Sequence, residues 1–369
     1  MTLAPIRRVD SLDGFVVPAE LEARGPAESR GLERDGVRLM VSDGHGQRHL
    51  RFDQLHSVLG PGDLLVVNDS ATIPASVRSG DVVVNFSTPL PGGLRVVELR
   101  RPAGPSSLPW KGNHPRLVRL PGDAEVELLA PFPVDSKTRR LWVATFEADS
   151  GLGAYLAKWG GPIRYGHVDA AHPLGDYQTV FGEVPGSAEM PSAGRPFTDR
   201  LLTRVMVAGI AVAPVTLHTG VSSLEAGEEP YPEWFQVPAS TAGLVDHTRH
   251  RGGRVVAVGT TVARALETSA DDHGGSHPGK GWTDLVVSPD RAMRVVDGLI
   301  TGWHEPTSSH LHILQALAGR EALVEAYREA LAEGYLWHEF GDSHLILPSG
   351  QPMQPEGNLV SGRPHPGIT

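Results

Sequence analysis

The sequence predicts a mixed α/β protein: a large barrel-like α/β domain interrupted by a small inserted all-β barrel domain. Three features point there. Gly62 to Asn68 and Arg254 to Val258 are continuously apolar and of strand length, as strands covered on both faces are. Helix-patterned and strand-patterned segments alternate through the second half of the chain. Residues 78–147 instead carry five short β-patterned runs and almost no helical periodicity. The expected division is residues 1–77 with 148–369 for the large domain and 78–147 for the insertion.

Taken in order, Phe15 to Ala23 reads as a strand end leading into a short helix that Pro18 starts. Val37 to Val41 is strand-like. Phe52 to Leu59 makes a short amphipathic helix closed by Gly60 and Pro61. The five β runs are Val82 to Phe86, Leu94 to Leu99, Arg116 to Leu120, Glu125 to Leu129 and Leu141 to Phe146. Clusters of Gly, Pro and Ser separate them. They fit a small barrel or sandwich, or an elaborated sheet of the main domain.

Asp149 or Ser150 then caps a helix whose apolar positions Leu152, Leu156 and Trp159 share a face. Thr198 caps a helix over Asp199 to Ala208 that Gly209 ends. A strand follows over Ile210 to Leu217, where Pro214 points to an edge or bulge. Phe235 to Val237 is another strand, and Ser240 or Thr241 opens a helix towards His250. After the polar loop Asp271 to Gly281, short strands are expected around Leu285 to Val287, Arg294 to Val296 and Leu299 to Thr301. Two helices, Ser308 to Ala318 and Glu321 to Glu333, and a last strand, Ser343 to Leu347, complete the pattern. The final twenty residues, rich in Pro and Gly, read as loosely ordered.

The chain centres on Gly253 to Glu267. The apolar run stops at Gly259, Thr260 and Thr261 follow, and Val262 to Thr268 has helical composition. Either threonine can be the N-cap. This strand, turn and helix start offers backbone N–H groups and two hydroxyls at one point, enough to hold a carboxylate or sugar hydroxyls, or simply to cap the helix.

Composition narrows the function. The chain has 369 residues, 40% hydrophobic and 21% charged, as soluble globular proteins do. With 33 Lys and Arg against 43 Asp and Glu, its charge of −10 disfavours a general affinity for nucleic acid, although a local basic patch remains compatible with it. No cysteine is present, which excludes disulfides, thiolate nucleophiles and Cys-ligated metals. The N-terminus lacks the apolar core of a signal peptide and no run approaches membrane-span length, so a cytoplasmic protein without membrane contact is expected. Neither a P-loop nor G-x-G-x-x-G occurs.

Seventeen histidines invite a metal reading, yet Pro306 separates His304 from His310 and His312, and the latter two sit two apart. No metal is expected. His304 and Glu305 form a polar pair at a strand end, suited to a site or to a surface hydrogen bond. His218 closes a strand before Gly220 and is placed for proton transfer or for capping the turn. Arg264 and Glu267, three apart on a helix, can pair with each other. Asp176 to Thr198 is a long loop with three Pro and three Gly, and loops of that length are more often functional than idle.

Seven stretches, in order, resemble the S-adenosylmethionine:tRNA ribosyltransferase-isomerase family of queuosine biosynthesis. They are PAELEARGPAESR from Pro18, GDLLVVNDSATIPAS from Gly62, YQTVFGEVPGSAEMPSAGRPF from Tyr177, VTLHTG from Val215, VVAVGTTVARALET from Val255, VVDGLITGWHEPTSS from Val295 and FGDSHLIL from Phe340. They span nearly the whole chain. AVGTT-x-x-R-x-LE and YQTV are the most specific.

The resemblance implies the barrel-like domain with its insertion, and S-adenosylmethionine as co-substrate without a metal. It also implies transfer and rearrangement of the ribosyl group onto a 7-aminomethyl-7-deazaguanine base in tRNA, with release of adenine and methionine. That chemistry needs a base for the proton beside the sulfonium and a donor for the departing adenine. His218 is the first candidate, with His304, Glu305 and Glu267 beside it. Thr260 and Thr261, with Gly259, are expected to hold the methionine carboxylate or ribose, and Arg264 an anionic group. Tyr177, Gln178, Ser192, Gly194 and Asn68 complete the expected binding residues. A monomer is expected.

Several family motifs are altered. N-[NDT]-T-R-V-I-P-A-R is here Asn68 to Ser76 (NDSATIPAS), without either arginine. P-T-A-G-L-H-F is Pro191 to Phe197 (PSAGRPF), without the histidine. G-[AG]-G-T-F reads Gly220 to Leu224 (GVSSL), T-N-F-H-x-P reads Thr301 to Pro306 (TGWHEP), and a G-G-K-I-E-like segment near Asp81 is not recognisable. Each change removes a polar or basic group that tRNA could use. Two alternatives therefore stand beside the family reaction: the same donor chemistry on a small-molecule acceptor, and a non-catalytic nucleoside-binding module.

Overall fold

The computed structural model describes Leu12 and residues 15–133, 139–221, 230–289 and 291–348. Eighteen strands and six α-helices lie within these residues and are numbered in chain order. The frame is a nine-stranded mixed sheet. It contains β1 (Arg38–Ser42), β2 (Gln47–Arg51), β3 (Leu64–Asn68), β13 (Ala211–Leu217), β14 (Glu233–Val237), β15 (Val255–Val258), β16 (Gly279–Thr283), β17 (Gly298–Gly302) and β18 (Ser343–Ile346). Their order is β16-β14-β13-β3-β15-β17-β18-β1-β2. The four central strands from β13 to β17 run parallel, and the outer pairings are antiparallel except β18 with β1. No pairing joins β16 to β2 among the described residues, so hydrogen bonding alone does not close this sheet into a barrel.

The continuous apolar runs are explained by two covered faces. Leu64, Val66, Val255 and Ala257 bury into one core, and Leu65, Val67, Val256 and Val258 into another on the opposite face. The first core is covered by α3 (Ala239–His250), α4 (Thr260–Thr268), α5 (Leu311–Ala318) and α6 (Arg320–Ala332). The second is covered by α2 (Asp199–Val207) and a 3-10 turn at Phe52–Ser57. No helix of the described residues is long and apolar enough to cross a membrane.

The stretch from Ser76 to Glu147 forms a second, seven-stranded antiparallel sheet. Its strands are β5 (Ser76–Ser79), β6 (Val82–Pro89), β7 (Arg95–Ala103), β8 (Ser106–Pro109), β9 (Leu117–Leu120), β10 (Ala124–Phe132) and β11 (Leu141–Glu147). The order is β5-β6-β7-β11-β10-β9 with β8 on β7, and the end strands β5 and β9 touch, as in a closing barrel. Tyr155 and Leu156 of α1 (Leu152–Trp159) pack into its core. A two-stranded parallel pair, β4 (Ser70–Thr72) with β12 (Val184–Ser187), ties the long loop to the chain after β3.

Several local expectations change. Phe52 and Leu55, three apart, are both buried, and the segment is a 3-10 turn rather than an α-helix. The stretch after Pro18 is likewise only a 3-10 turn, Ala19–Leu21. Gly151 and Pro238 occupy the N-cap positions of α1 and α3, where Asp149, Ser150, Ser240 or Thr241 were expected, and Trp159 is 40% exposed rather than on a buried face. Part of the polar loop is β16, paired with β14. Residues 285–287 and 294–296 are not strands. The backbone N–H groups of Arg294, Val295 and Val296 donate to the Glu267 carboxylate instead of a ladder. Pro214 sits where β13 has no β14 partner, since that pairing begins at Thr216. The final twenty residues lie outside the described residues.

Candidate active site

A cavity of about 480 Å³ opens at the end of β15, where the chain turns into α4. The turn has a physical requirement: Gly259 is the N-cap with φ 98° and ψ 152°, a conformation that disfavours side chains. Its N–H donates to Ile300 O at 2.8 Å, locking the corner to β17. Thr260 and Thr261 are therefore the first helical residues, not the N-cap, and neither hydroxyl caps the helix. Thr260 Oγ1 meets His310 Nδ1 at 3.1 Å, and Thr261 Oγ1 accepts from Asn68 Nδ2 at 3.5 Å. The first N–H groups of α4, which have no intrahelical acceptor, stand at the cavity wall.

Two Trp-His-Glu segments contribute Trp303, His304, Glu305, His338 and Glu339 to the lining. Trp303-His304-Glu305 leaves β17, and Trp337-His338-Glu339 precedes β18. They are cross-bonded: Trp337 Nε1 donates to His304 O at 3.3 Å and His338 N to Trp303 O at 3.3 Å, with the two indoles 5.3 Å apart. His304 Nε2 meets Thr301 Oγ1 at 2.9 Å, and its ring stacks on His310 at 4.6 Å. Burial and neighbouring imidazoles push His304 well below the usual histidine value. Burial with the Arg264 charge pushes His310 down to about 4, so both rings are neutral at pH 7.

The second histidine stack is divided: burial and the His167 charge hold His338 below the usual histidine value, and His167 goes the other way. His167 lies on His338 at 4.2 Å and bonds Glu339 Oε2 at 2.8 Å. Burial opposes its charge, but the Glu339 hydrogen bond and charge outweigh it and raise the pKa of His167. His338 has φ 72°, uncommon for a residue with a side chain, and its Nε2 is 3.5 Å from Glu305 Oε1. Burial and the nearby Glu22 raise the Glu305 carboxyl. The remaining wall comes from the long loop, including Tyr177, Glu189 and Ser192. Among the described residues the lining holds three glutamates and four histidines but no Lys or Arg. No group of three or more His, Asp or Glu among them is arranged to hold a metal ion.

A family model described as queuosine biosynthesis protein matches residues 11–346. The chain belongs to this family. It is 37% identical over 352 residues to the S-adenosylmethionine:tRNA ribosyltransferase-isomerase of Gloeobacter violaceus, covering 92% of this chain and 96% of that one. It is 34% identical to the protein of the same name from Pelobacter propionicus, covering 90% and 98%. The crystal structure of S-adenosylmethionine tRNA ribosyltransferase from Thermotoga maritima superposes with a TM-score of 0.51 at 27% identity, over 90% of this chain and 99% of that one.

Within this family frame, the structure brings together His304, Glu305, Tyr177, Ser192, Gly259, Thr260 and Thr261 around one cavity. Others stand apart. His218 does not line it: the ring stacks on Trp234 at 5.0 Å, abuts Gly186 and bonds Ser70 Oγ at 2.7 Å. Burial and Arg95 lower its pKa to about 4. Glu267 is fully buried beneath α4 and anchors the backbone of 294–296, without reaching the site or pairing with Arg264.

Arg264 pairs with Glu233 and donates to Thr283 O and Leu285 O, leaving little to offer an anion. It borders an adjoining recess of about 60 Å³ that shares Thr260, Thr261 and His310 with the cavity. Gln178 holds Thr72 through both its N–H and C=O, at 3.0 and 2.7 Å, and Asn68 bridges β3 to Leu217. Both brace the walls from behind. Gly194 packs on Thr179 and Phe181.

The altered family motifs take a structural place too. Arg195, one residue before the missing histidine, is buried and bonds Glu28 at 2.9 Å and Asp176 O at 2.9 Å. Ala71 and Ser76, at the lost arginines, lie in β4 and β5. Ser222 to Leu224 of the altered GVSSL segment lie outside the described residues. His167, His310, His338, Glu189 and Glu339 were not expected as site residues.

Proposed function

We propose that this chain carries the S-adenosylmethionine:tRNA ribosyltransferase-isomerase activity after which its relatives are named, and that the cavity at the start of α4 is its active site. The observation that carries this reading is the lining. Three carboxylates and no Lys or Arg suit a donor with a sulfonium and an ammonium, while the α4 N-terminus suits that donor's carboxylate. A volume of about 480 Å³ falls within the roughly 300–1,000 Å³ of small-molecule sites.

In this reading the first N–H groups of α4 with Thr260 and Thr261 hold the methionine carboxylate or a ribose hydroxyl. His304, neutral and held by Thr301, accepts the proton from the carbon beside the sulfonium, and Glu305 stands next to it. His167, its charged form favoured by Glu339, donates to the departing adenine. The acceptor amine is that of the aminomethyl deazaguanine base in tRNA. The protein acts in the cytoplasm as a monomer without a metal, and residues 78–147 are an inserted domain.

Titration calorimetry with S-adenosylmethionine tests the site. Binding that disappears in Gly259→Ala, with the protein still folded by circular dichroism, supports the reading. No binding by the unaltered protein overturns it.

A further inference from the structure

The overall charge of −10 conceals an uneven distribution. Residues 78–147 hold ten Lys and Arg against seven Asp and Glu, and the rest of the chain 23 against 36. Part of that basic excess is internal, since Arg100 and Arg140 are buried against Glu98. Part of the surface share, Lys111, Arg116 and Arg139, lies beside a row of rings. Trp110 stands 6.2 Å from His114, and His114 4.9 Å from Trp142. The inner sides of both indoles pack on the core of the seven-stranded sheet. Their N–H groups are fixed to backbone carbonyls, Trp110 to Asn113 at 3.2 Å and Trp142 to Arg139 at 3.0 Å.

Lys111 and Arg139 flank the row. Both are exposed, and neither forms an ion pair among the described residues. Arg116, its side chain 84% exposed, follows two residues after His114 and pairs with Glu127. None of these residues lines the large cavity.

We propose that this face of the seven-stranded sheet, the Trp110-His114-Trp142 row flanked by Lys111 and Arg139, is a docking surface for RNA. Pinned, half-buried rings offer flat faces on which unstacked bases lie, and the flanking cations meet phosphates. Together they suit a loop with splayed bases better than a duplex. Burial, with the Arg139 charge, keeps His114 below its usual pKa, so that ring serves as a neutral face. The choice of partner rests on the reading of tRNA as acceptor, whereas the surface rests on its own geometry.

The test is binding of a full-length tRNA transcript to the whole protein by fluorescence anisotropy, at low and moderate salt, beside calorimetry with S-adenosylmethionine. The double charge reversal Lys111→Glu with Arg139→Glu, at exposed positions that leave the core intact, is expected to weaken tRNA binding at least tenfold. It is expected to reduce the salt slope by about 1 to 2, with donor binding unchanged. Trp142→Leu, which keeps an apolar side chain against the core, is expected to weaken tRNA binding about tenfold without altering the salt slope. Unchanged tRNA affinity in both variants overturns the docking surface and leaves the proposed activity standing. Failure of the unaltered protein to bind tRNA overturns both.

Discussion

His304 and His218 are both histidines at strand ends, and their surroundings separate them. His304 borders the large cavity with a neutral ring, whereas His218 is held between Trp234 and Gly186 against Ser70. His304→Ala is expected to lower adenine release by a factor of about 100 or more with donor binding retained, as loss of a general base does. His218→Ala is expected to cost about 1–3 kcal/mol of stability with the same pH profile, measured by urea unfolding beside turnover. The pH dependence falls to His167. Its raised pKa means that the charged form persists above the ordinary 6.5 and is lost as pH rises through the folded value. Glu339→Gln is therefore expected to move the alkaline fall in rate to lower pH. An unmoved limb would remove His167 from the role of acid.

At this scale the sequence was half legible. His304 with Glu305 and the pair Thr260 and Thr261 stood out because a polar group at the end of an apolar strand has few structural duties. His338 and Glu339 carry a signal in the sequence, since Trp-His-Glu occurs twice, at 303–305 and 337–339. Glu267 and Arg264 misled because helix spacing shows which face a residue takes and not what reaches it from elsewhere. Their partners, the 294–296 backbone and Glu233, are about thirty residues away.

The strand, glycine and helix at the corner act as one element. Gly259 has φ 98°, and a Cβ there would lie 3.3 Å from Thr261 Oγ1 and 3.4 Å from Ala193 Cβ. Gly259→Ala thus strains the backbone and crowds Thr261 Oγ1 at the cavity wall, the physical ground for the calorimetric loss expected above. Glu267 fixes the far end of α4. Glu267→Ala leaves three buried N–H groups without an acceptor and is expected to destabilise by about 3 kcal/mol or more in thermal unfolding.

Asp63 similarly joins the starts of β3 and β15 through Arg254. Burial opposes its charge, but the Arg254 and Gly60 hydrogen bonds prevail and lower its pKa below 3.8. Its contribution is present above the unfolded carboxylate value and is lost as pH falls through the folded one. Asp63→Asn should flatten the acid side of the stability curve, and an unchanged acid limb would assign it elsewhere.

For the whole molecule, the large α/β frame was legible because its central strands are apolar on both faces, a pattern that few other arrangements produce. The change in period near residue 78 falls within β5 (Ser76–Ser79), the first strand of the seven-stranded sheet. Closure of the large sheet was not legible, because strand order depends on contacts between segments far apart in the chain, and β16 and β2 remain unpaired with each other. The charge of −10 argued against nucleic acid only while it was treated as evenly spread. Its division between residues 78–147 and the remainder is compatible with an acidic donor cavity and a basic docking face in one protein.

The most direct measurement is incubation of the purified protein with S-adenosylmethionine and tRNA carrying the aminomethyl deazaguanine base, followed by mass spectrometry of small molecules and nucleosides. The account predicts adenine, methionine and the epoxycyclopentane nucleoside together, all dependent on both substrates. Absence of adenine with both substrates present and bound would contradict it.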